Sequence, residues 1–210
     1  MLSLRHMHAI DIPQVMSVER LCFPDPWPAR SYYFEVNESN VSHMVVLERG
    51  DILTPPTAHP LGSLQRFLRQ LRGEEPPAPS GEIVGFGGLW CIADEAHVST
   101  IASHPDERGK GYGEALLSGM IQRALRLGAA YVVLEVRVSN STAQALYHKY
   151  GFVTQARNPR YYADGEDAFL MRLDFTATAR AHLDDLHAHI CERVGFHDAY
   201  VHAPHPRMGL

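Results

Sequence analysis

The stretch TIASHPDERGKGYGEALL, from Thr100 to Leu117, decides how the chain reads. It starts as a strand, turns near Pro105 and enters a helix at Gly111. Glycines 109, 111 and 113 keep Cβ atoms out of the turn, so backbone N–H groups can converge there. The helix start adds unpaired donors and partial positive charge. Together these features suit a pyrophosphate. The glycines alone are explained equally well by a plain turn before a helix. A P-loop is excluded, because no Gly-Lys-Ser/Thr follows at the required spacing. A dinucleotide fingerprint is excluded as well. The spacing is G-x-G-x-G, and the loop follows several strands instead of opening a βαβ unit.

Outward from this stretch, strands and helices mix without a fixed repeat, which points to an α/β or α+β sheet protein. Upstream, the pattern predicts a strand over Ser3–Met7, a helix capped by Asp11, a helix over Ala29–Glu38 and a strand over Val41–Glu48. Strands over Glu82–Ile92 and Ala96–Ser103 lead into the loop. Downstream, a helix runs to Leu127 with Gly128 as its C′ residue. A near-continuous apolar strand over Tyr131–Val138 predicts burial on both faces. Asn140 caps a helix to about Tyr150, and strands over Phe152–Ala156 and Glu166–Leu173 follow. A last helix spans Thr176–Val194, and His197–Leu210 reads as loose.

The chain has 210 residues, 45% hydrophobic and 20% charged, which fits one globular domain with additions. The net charge of −5 excludes bulk electrostatic binding to nucleic acid. No apolar run approaches the roughly 18 residues of a membrane span. The first ten residues carry Arg5, His6 and His8 and lack a secretory pattern. Cys22, Cys91 and Cys191 form no C-x-x-C and read as free thiols, so a cytoplasmic location is expected.

Two segments stand apart. Residues 51–80 hold six of the 14 prolines and read as an insertion between strands. Its short helical pattern, Leu61–Arg72, suits packing or a partner groove better than a membrane. The last 37 residues hold six of the 13 histidines. His187 and Cys191 sit four apart on one helix face, but no second ligand pair accompanies them, so no metal site is expected.

Arg108-x-x-Gly111-x-Gly113 resembles the pyrophosphate loop of the GNAT N-acetyltransferases. Leu134-Glu-Val-Arg-Val-Ser-Asn140 and Ala145-Leu-Tyr-His-Lys-Tyr-Gly-Phe152 resemble segments of the RimI-type ribosomal-protein alanine N-acetyltransferases. Phe23-Pro-Asp-Pro-Trp27, Asp94-Glu-Ala96, Arg160-Tyr-Tyr162 and Glu166-Asp-Ala168 extend the likeness. It covers about Leu2 to Leu173 without the insertion. It implies a splayed mixed sheet of about seven strands with four helices, holding acetyl-CoA where two parallel strands part. The implied organisation is an acetyltransferase domain over 1–173, interrupted by 51–80, and a helical extension over 174–210.

Acetyl transfer to an amine needs a base for the amine and a proton for the departing thiolate. Glu135 is the one charge in the run Val132-Val-Leu-Glu-Val136, and an unpaired carboxylate in such a strand is costly. An ion pair with Arg137, two residues along the same face, accounts for it equally well. The resemblance makes Glu135 the proton acceptor and Tyr147 the acid; as a residue type, Tyr147 also suits a core position. Asn140 can cap its helix, and the resemblance adds a contact to the cofactor. By the same likeness Ile101, Ala102 and Ser103 meet the pantetheine arm. Arg108, Gly109, Lys110, Gly111, Tyr112, Gly113 and Glu114 cradle the phosphates. Gly109 and Glu114 depart from positions where a basic residue can occur, which puts more weight on Arg108 and Lys110. Trp27, Asp94, Glu95, Tyr161 and Tyr162 could line a peptide groove, although turns and core aromatics explain them as often.

The expected activity is transfer of acetyl from acetyl-CoA to a protein N-terminus, Ala- or Ser-starting and ribosomal-protein-like. Lysine side chains or a small amine are the alternative acceptors. A CoA-binding module without turnover is the alternative of another class.

Overall fold

The computed structural model describes residues 1–50 and 81–204. The expected insertion, with its Leu61–Arg72 helix, lies outside the described residues. The order of elements is β1 (Leu2–His6), α1 (Ile12–Cys22), α2 (Ala29–Asn37), β2 (Ser42–Arg49), β3 (Glu82–Ile92) and β4 (Glu95–Ser103). Then come α3 (Tyr112–Arg126), β5 (Tyr131–Arg137), α4 (Ser141–Lys149), β6 (Val153–Asn158), β7 (Ala168–Asp174), α5 (Ala177–Val194) and β8 (Phe196–Asp198).

Eight strands form one sheet in the order β6-β7-β5-β4-β3-β2-β1-β8. Only β4–β5 and β1–β8 are parallel; the other neighbours are antiparallel. A parallel pair needs a crossover, and α3 supplies it between β4 and β5. The alternation of strand side chains gives two cores, one on each sheet face. One core holds Leu116, Leu117, Met120 and Ile121 of α3, Tyr147 of α4, and Leu183 and Ile190 of α5. The other holds Ile12, Val15 and Val18 of α1 and Tyr32 of α2. The four α3 side chains are at most 1% exposed. Each such burial contributes roughly 1.5–3 kcal/mol. The helix lies so close to β1 that a Cβ on Gly119 would stand 2.3 Å from Leu4 Cδ2.

Three expectations need correction. Asp11 does precede α1, but its carboxylate does not cap the helix. Instead it takes two bonds from the Arg5 guanidinium, at 2.7 and 3.0 Å, and one from the His8 N–H. A buried carboxylate beside an arginine satisfies the stronger donor. Strand β5 is not buried on both faces. Val132, Leu134 and Val136 are buried, while Tyr131, Val133, Glu135 and Arg137 are only partly covered. Residues 197–204 of the tail are not loose. Phe196–Asp198 pairs with β1, and Tyr200 and Val201 are buried in the first core. Arg123 of α3 holds this turn by donating to the carbonyls of Tyr200, Val201 and Ala203.

Candidate active site

The site begins with a bulge. Along β3, Gly88 pairs with Thr100 and Leu89 with Val98, so Ser99 of β4 is an extra residue. A bulge bends its strand and flips the alternation beyond it. Ala96 and Val98 accordingly face the first core, whereas Ala102 faces the second. The parallel pairing of β4 with β5 runs from Glu95–Tyr131 to Val98–Leu134 and stops there. Each strand keeps its outer partner beyond that point: β4 pairs with β3 to Ser103, and β5 with β7 to Arg137. The two strands therefore fork, with facing edges free from Ser99 and from Glu135 onward. Free strand edges offer the backbone groups that an extended, amide-bearing chain needs. Ile101, Ala102 and Ser103 lie on one prong.

Past the prong, His104 leads into a 3-10 turn, Pro105–Glu107, and then the glycine loop. Gly111, at φ 85°, is the residue before α3. The first bond within the helix is Ala115 N–H to the Gly111 carbonyl, so the N–H groups of Tyr112, Gly113 and Glu114 lack helical acceptors. A Cβ at Gly109 or Gly113 would meet nothing within 4 Å. That open space in front of unpaired donors fits a phosphate-bearing cofactor. Tyr112 is 8% exposed and in the core, so its contribution is its backbone.

The charges around the loop are arranged differently from expectation. Lys110 is bound to Glu107 at 2.9 Å, and Glu107 also holds Arg49. Arg108 lies beside the Cys22 thiol, whose ionisation burial pushes upward against the arginine's pull. Glu114 binds Lys149 of α4 and Arg193 of α5, each at 2.5 Å. The acidic side chain thus gathers two cations beside the loop, one of them from the C-terminal helix.

On the open face of β5, Glu135 accepts no bond from Arg137 in this structure. Arg137 is taken by Asp164 at 2.7 Å and Glu166 at 2.8 Å, and its guanidinium lies 3.9 Å from the Tyr162 ring centre. Glu135 meets His97 of β4 at 2.8 Å. Burial first, then the charge and hydrogen bond of Glu135, raise the phenol of Tyr161 above its ordinary range. Tyr161 packs edge-on against Tyr162 at 5.1 Å. Tyr147 lies 5% exposed in the core against Phe152, and burial together with nearby Tyr162 holds its phenol well above the ordinary value. Its proton is therefore firmly retained at neutral pH, as a donor requires. Asn140 does cap α4, accepting from the Ala143 N–H at 3.1 Å, which leaves its amide NH₂ for another acceptor.

Trp27 stacks on Trp90 at 6.3 Å, and Trp90 meets His97 edge-on at 5.5 Å. Trp27 therefore reaches the cluster through another ring. Asp94 and Glu95 do not join it. Asp94 is in the β3–β4 turn, and Glu95 binds the Tyr131 hydroxyl at 2.7 Å. Val98 stands three steps beyond Glu95, about 10 Å along a strand. The sequence reading missed His97 and Trp90. Their only signal was alternation along β3 and β4, which says nothing of a site until the register with β5 is known.

Among the described residues no group of three or more His, Cys, Asp or Glu side chains could hold a metal ion, and no helix is long and apolar enough to cross a membrane.

Residues 66–152 match the family model for acetyltransferases of the GNAT family. A Bacillus subtilis protein, provisionally named a [ribosomal protein bS18]-alanine N-acetyltransferase, is 31% identical over 80% of this chain and 93% of its own length. An N-alpha-acetyltransferase of Sulfurisphaera tokodaii is 31% identical over 80% of this chain and 90% of its own. The crystal structure of the ribosomal-protein-S18-alanine N-acetyltransferase from Escherichia coli superposes with a TM-score of 0.63. It is 25% identical, covering 84% of this chain and 95% of that one. The forked parallel pair, the glycine loop at a helix start and these likenesses agree: the chain belongs to the GNAT family of acetyl-CoA-dependent N-acetyltransferases, on its RimI-like side.

Proposed function

We propose that the protein transfers acetyl from acetyl-CoA to the α-amino group of a protein N-terminus, with Ala- or Ser-starting, ribosomal-protein-like chains as acceptors. The observation that carries this reading is the fork between β4 and β5. Its free edges begin at Ser99 and at Glu135, and the β4 edge runs through Ser103 and His104 into the glycine loop. Names of relatives at 31% identity support the class of acceptor.

Acetyl-CoA supplies an activated acetyl group as a thioester. The chain's residues do the rest. Ile101, Ala102 and Ser103 offer backbone to the pantetheine arm. The backbone of Gly109 to Glu114, with Arg108 and Lys110, faces the phosphates, and Asn140 contributes its free amide. Glu135 provides the basicity that draws a proton from the incoming amine. Tyr147 returns a proton to the sulfur. Tyr161 and Tyr162 border the acceptor's approach, and Trp27 walls it through Trp90. General acid–base help of this kind is worth on the order of 10²–10⁴-fold.

The test is an amine panel read by mass spectrometry. Peptides with a free Ala or Ser N-terminus should gain acetyl, and a blocked peptide carrying lysine should not. Glu135→Gln and Tyr147→Phe should each lower turnover within that range. Acetylation of lysine or of small amines alone would overturn the acceptor assignment. Full turnover in both variants would overturn the roles.

A further inference from the structure

His97 stands at the base of the fork. It lies opposite Val133 in the parallel register, so its side chain shares a sheet face with Glu135, two residues further along β5. The 2.8 Å contact between His97 Nε2 and Glu135 Oε2 crosses the last paired rung and joins the paired part of β4 to the free edge of β5. The ring is held from the side by Trp90, whose indole N–H donates to Glu35 of α2 at 3.0 Å. Among the described residues, Nδ1 of His97 has no hydrogen-bond partner, and 25% of the side chain is exposed.

A carboxylate bound to one ring nitrogen selects the tautomer that carries its hydrogen there. Nε2 then donates to Glu135, and the lone pair is left on Nδ1. The chemistry of the acceptor favours an imidazole over a carboxylate as the proton's destination. An α-amino group ordinarily titrates near ~7.7–8.0, an imidazole near ~6.5 and a glutamate near ~4.3. A base close to the amine and to neutral pH transfers the proton most effectively. A carboxylate that orients a histidine is the arrangement of the Ser-His-Asp triad.

We infer that His97 is a catalytic residue of this site, taking the acceptor amine's proton on Nδ1 while Glu135 orients the ring and stabilises the imidazolium. The inference rests on the reading of the site as an amine acetyltransferase and refines how Glu135 acts there. The proton leaves the ammonium for Nδ1. The freed amine forms the N–C bond, the C–S bond breaks, and the sulfur takes the Tyr147 proton. The new amide nitrogen gives up its second proton, which returns through solvent to the Tyr147 phenolate, and the imidazolium releases its proton to solvent. The groups facing the ring are Glu135 from β5, Trp90 from β3 with Glu35 behind it, and Tyr161, which reaches Glu135. Glu95 lies two residues back on β4, already bound to Tyr131.

The test is the pH dependence of kcat/KM on a free-Ala peptide for wild type, His97→Gln, His97→Ala and Glu135→Gln, with acetyl-CoA binding measured in parallel by calorimetry. Both His97 variants should keep acetyl-CoA affinity, lose about 10²–10⁴-fold in kcat/KM and lose the acid limb of the profile. Added imidazole should restore part of the His97→Ala rate. Wild-type rate and acid limb in His97→Gln, with turnover lost in Glu135→Gln, would overturn the inference and leave the wider reading standing. Absence of acetylation by the wild type on any free N-terminus would instead remove that reading.

Discussion

Val98 of β4 and Leu134 of β5 are the last residues opposite each other before the two strands part, and Ser99, the bulged residue, follows directly. Deleting Ser99 would restore simple alternation and turn Ala102 away from the second core. A one-residue slip reverses every side chain beyond it. The deletion should cost more than about 4 kcal/mol, the range of severe core damage. Circular dichroism melts would show the loss, and calorimetry would show acetyl-CoA binding abolished.

Two glycines of the loop should respond in opposite senses. At Gly111 an alanine would carry φ 85° and push its Cβ to 3.0 Å from Val194 Cγ2 and 3.2 Å from an Arg193 nitrogen. Gly111→Ala should therefore destabilise the free protein by about 1–2 kcal/mol from backbone strain alone. At Gly113 the space is open and the residue is already helical. Gly113→Ala should leave the free protein as stable or up to ~1 kcal/mol more so. It should nevertheless weaken acetyl-CoA, because the new methyl occupies the cradle. Denaturant titration and calorimetry separate the two effects.

Tyr200 tests how firmly the tail belongs to the core. It is fully buried, its hydroxyl donates to the His43 carbonyl at 2.8 Å, and the Arg123 guanidinium lies 5.7 Å from its ring centre. Tyr200→Ala should cost about 3–5 kcal/mol, as other large aromatic truncations do. Tyr200→Phe should cost about 1–3 kcal/mol by leaving a buried carbonyl short of its donor. Urea unfolding would rank the three proteins.

The tail should also loosen in acid. Burial alone would raise the carboxyl of Asp198, but His187 at 3.2 Å and the N–H groups of Val201 and Tyr200 outweigh it and hold it below its ordinary range. A carboxyl lowered by folding adds stability that is complete above its unfolded value, near ~3.9, and lost as pH falls through the folded one. Stability should thus decline below about pH 4, and Asp198→Asn should flatten that decline while lowering stability at neutral pH. Unfolding midpoints from pH 7 down to 2.5 would reveal it.

Local signals explain what was legible in the sequence. Gly128 and Asn140 mark helix ends because their conformations and side chains act within a few residues, and both sit where expected. The glycine loop is legible for the same reason. His97 was not, because its meaning depends on which strand lies beside β4. The three-residue β8 was invisible too: its pairing with β1 joins positions nearly 200 residues apart. Asp94 and Glu95 looked like peptide contacts by charge, yet Asp94 stands in the turn before β4 and Glu95 is bound to the Tyr131 hydroxyl.

β8 has a bearing on how copies of the protein meet one another. A bare sheet margin can template another strand, and β1 would present five residues of it. Against that margin the chain lays its own three-residue stub and then turns away into the buried Tyr200. The opposite margin, β6, is interrupted by a bulge between Thr154 and Ala156. Neither end offers a long straight run for an incoming strand, so the sheet is finished on both sides by the chain itself.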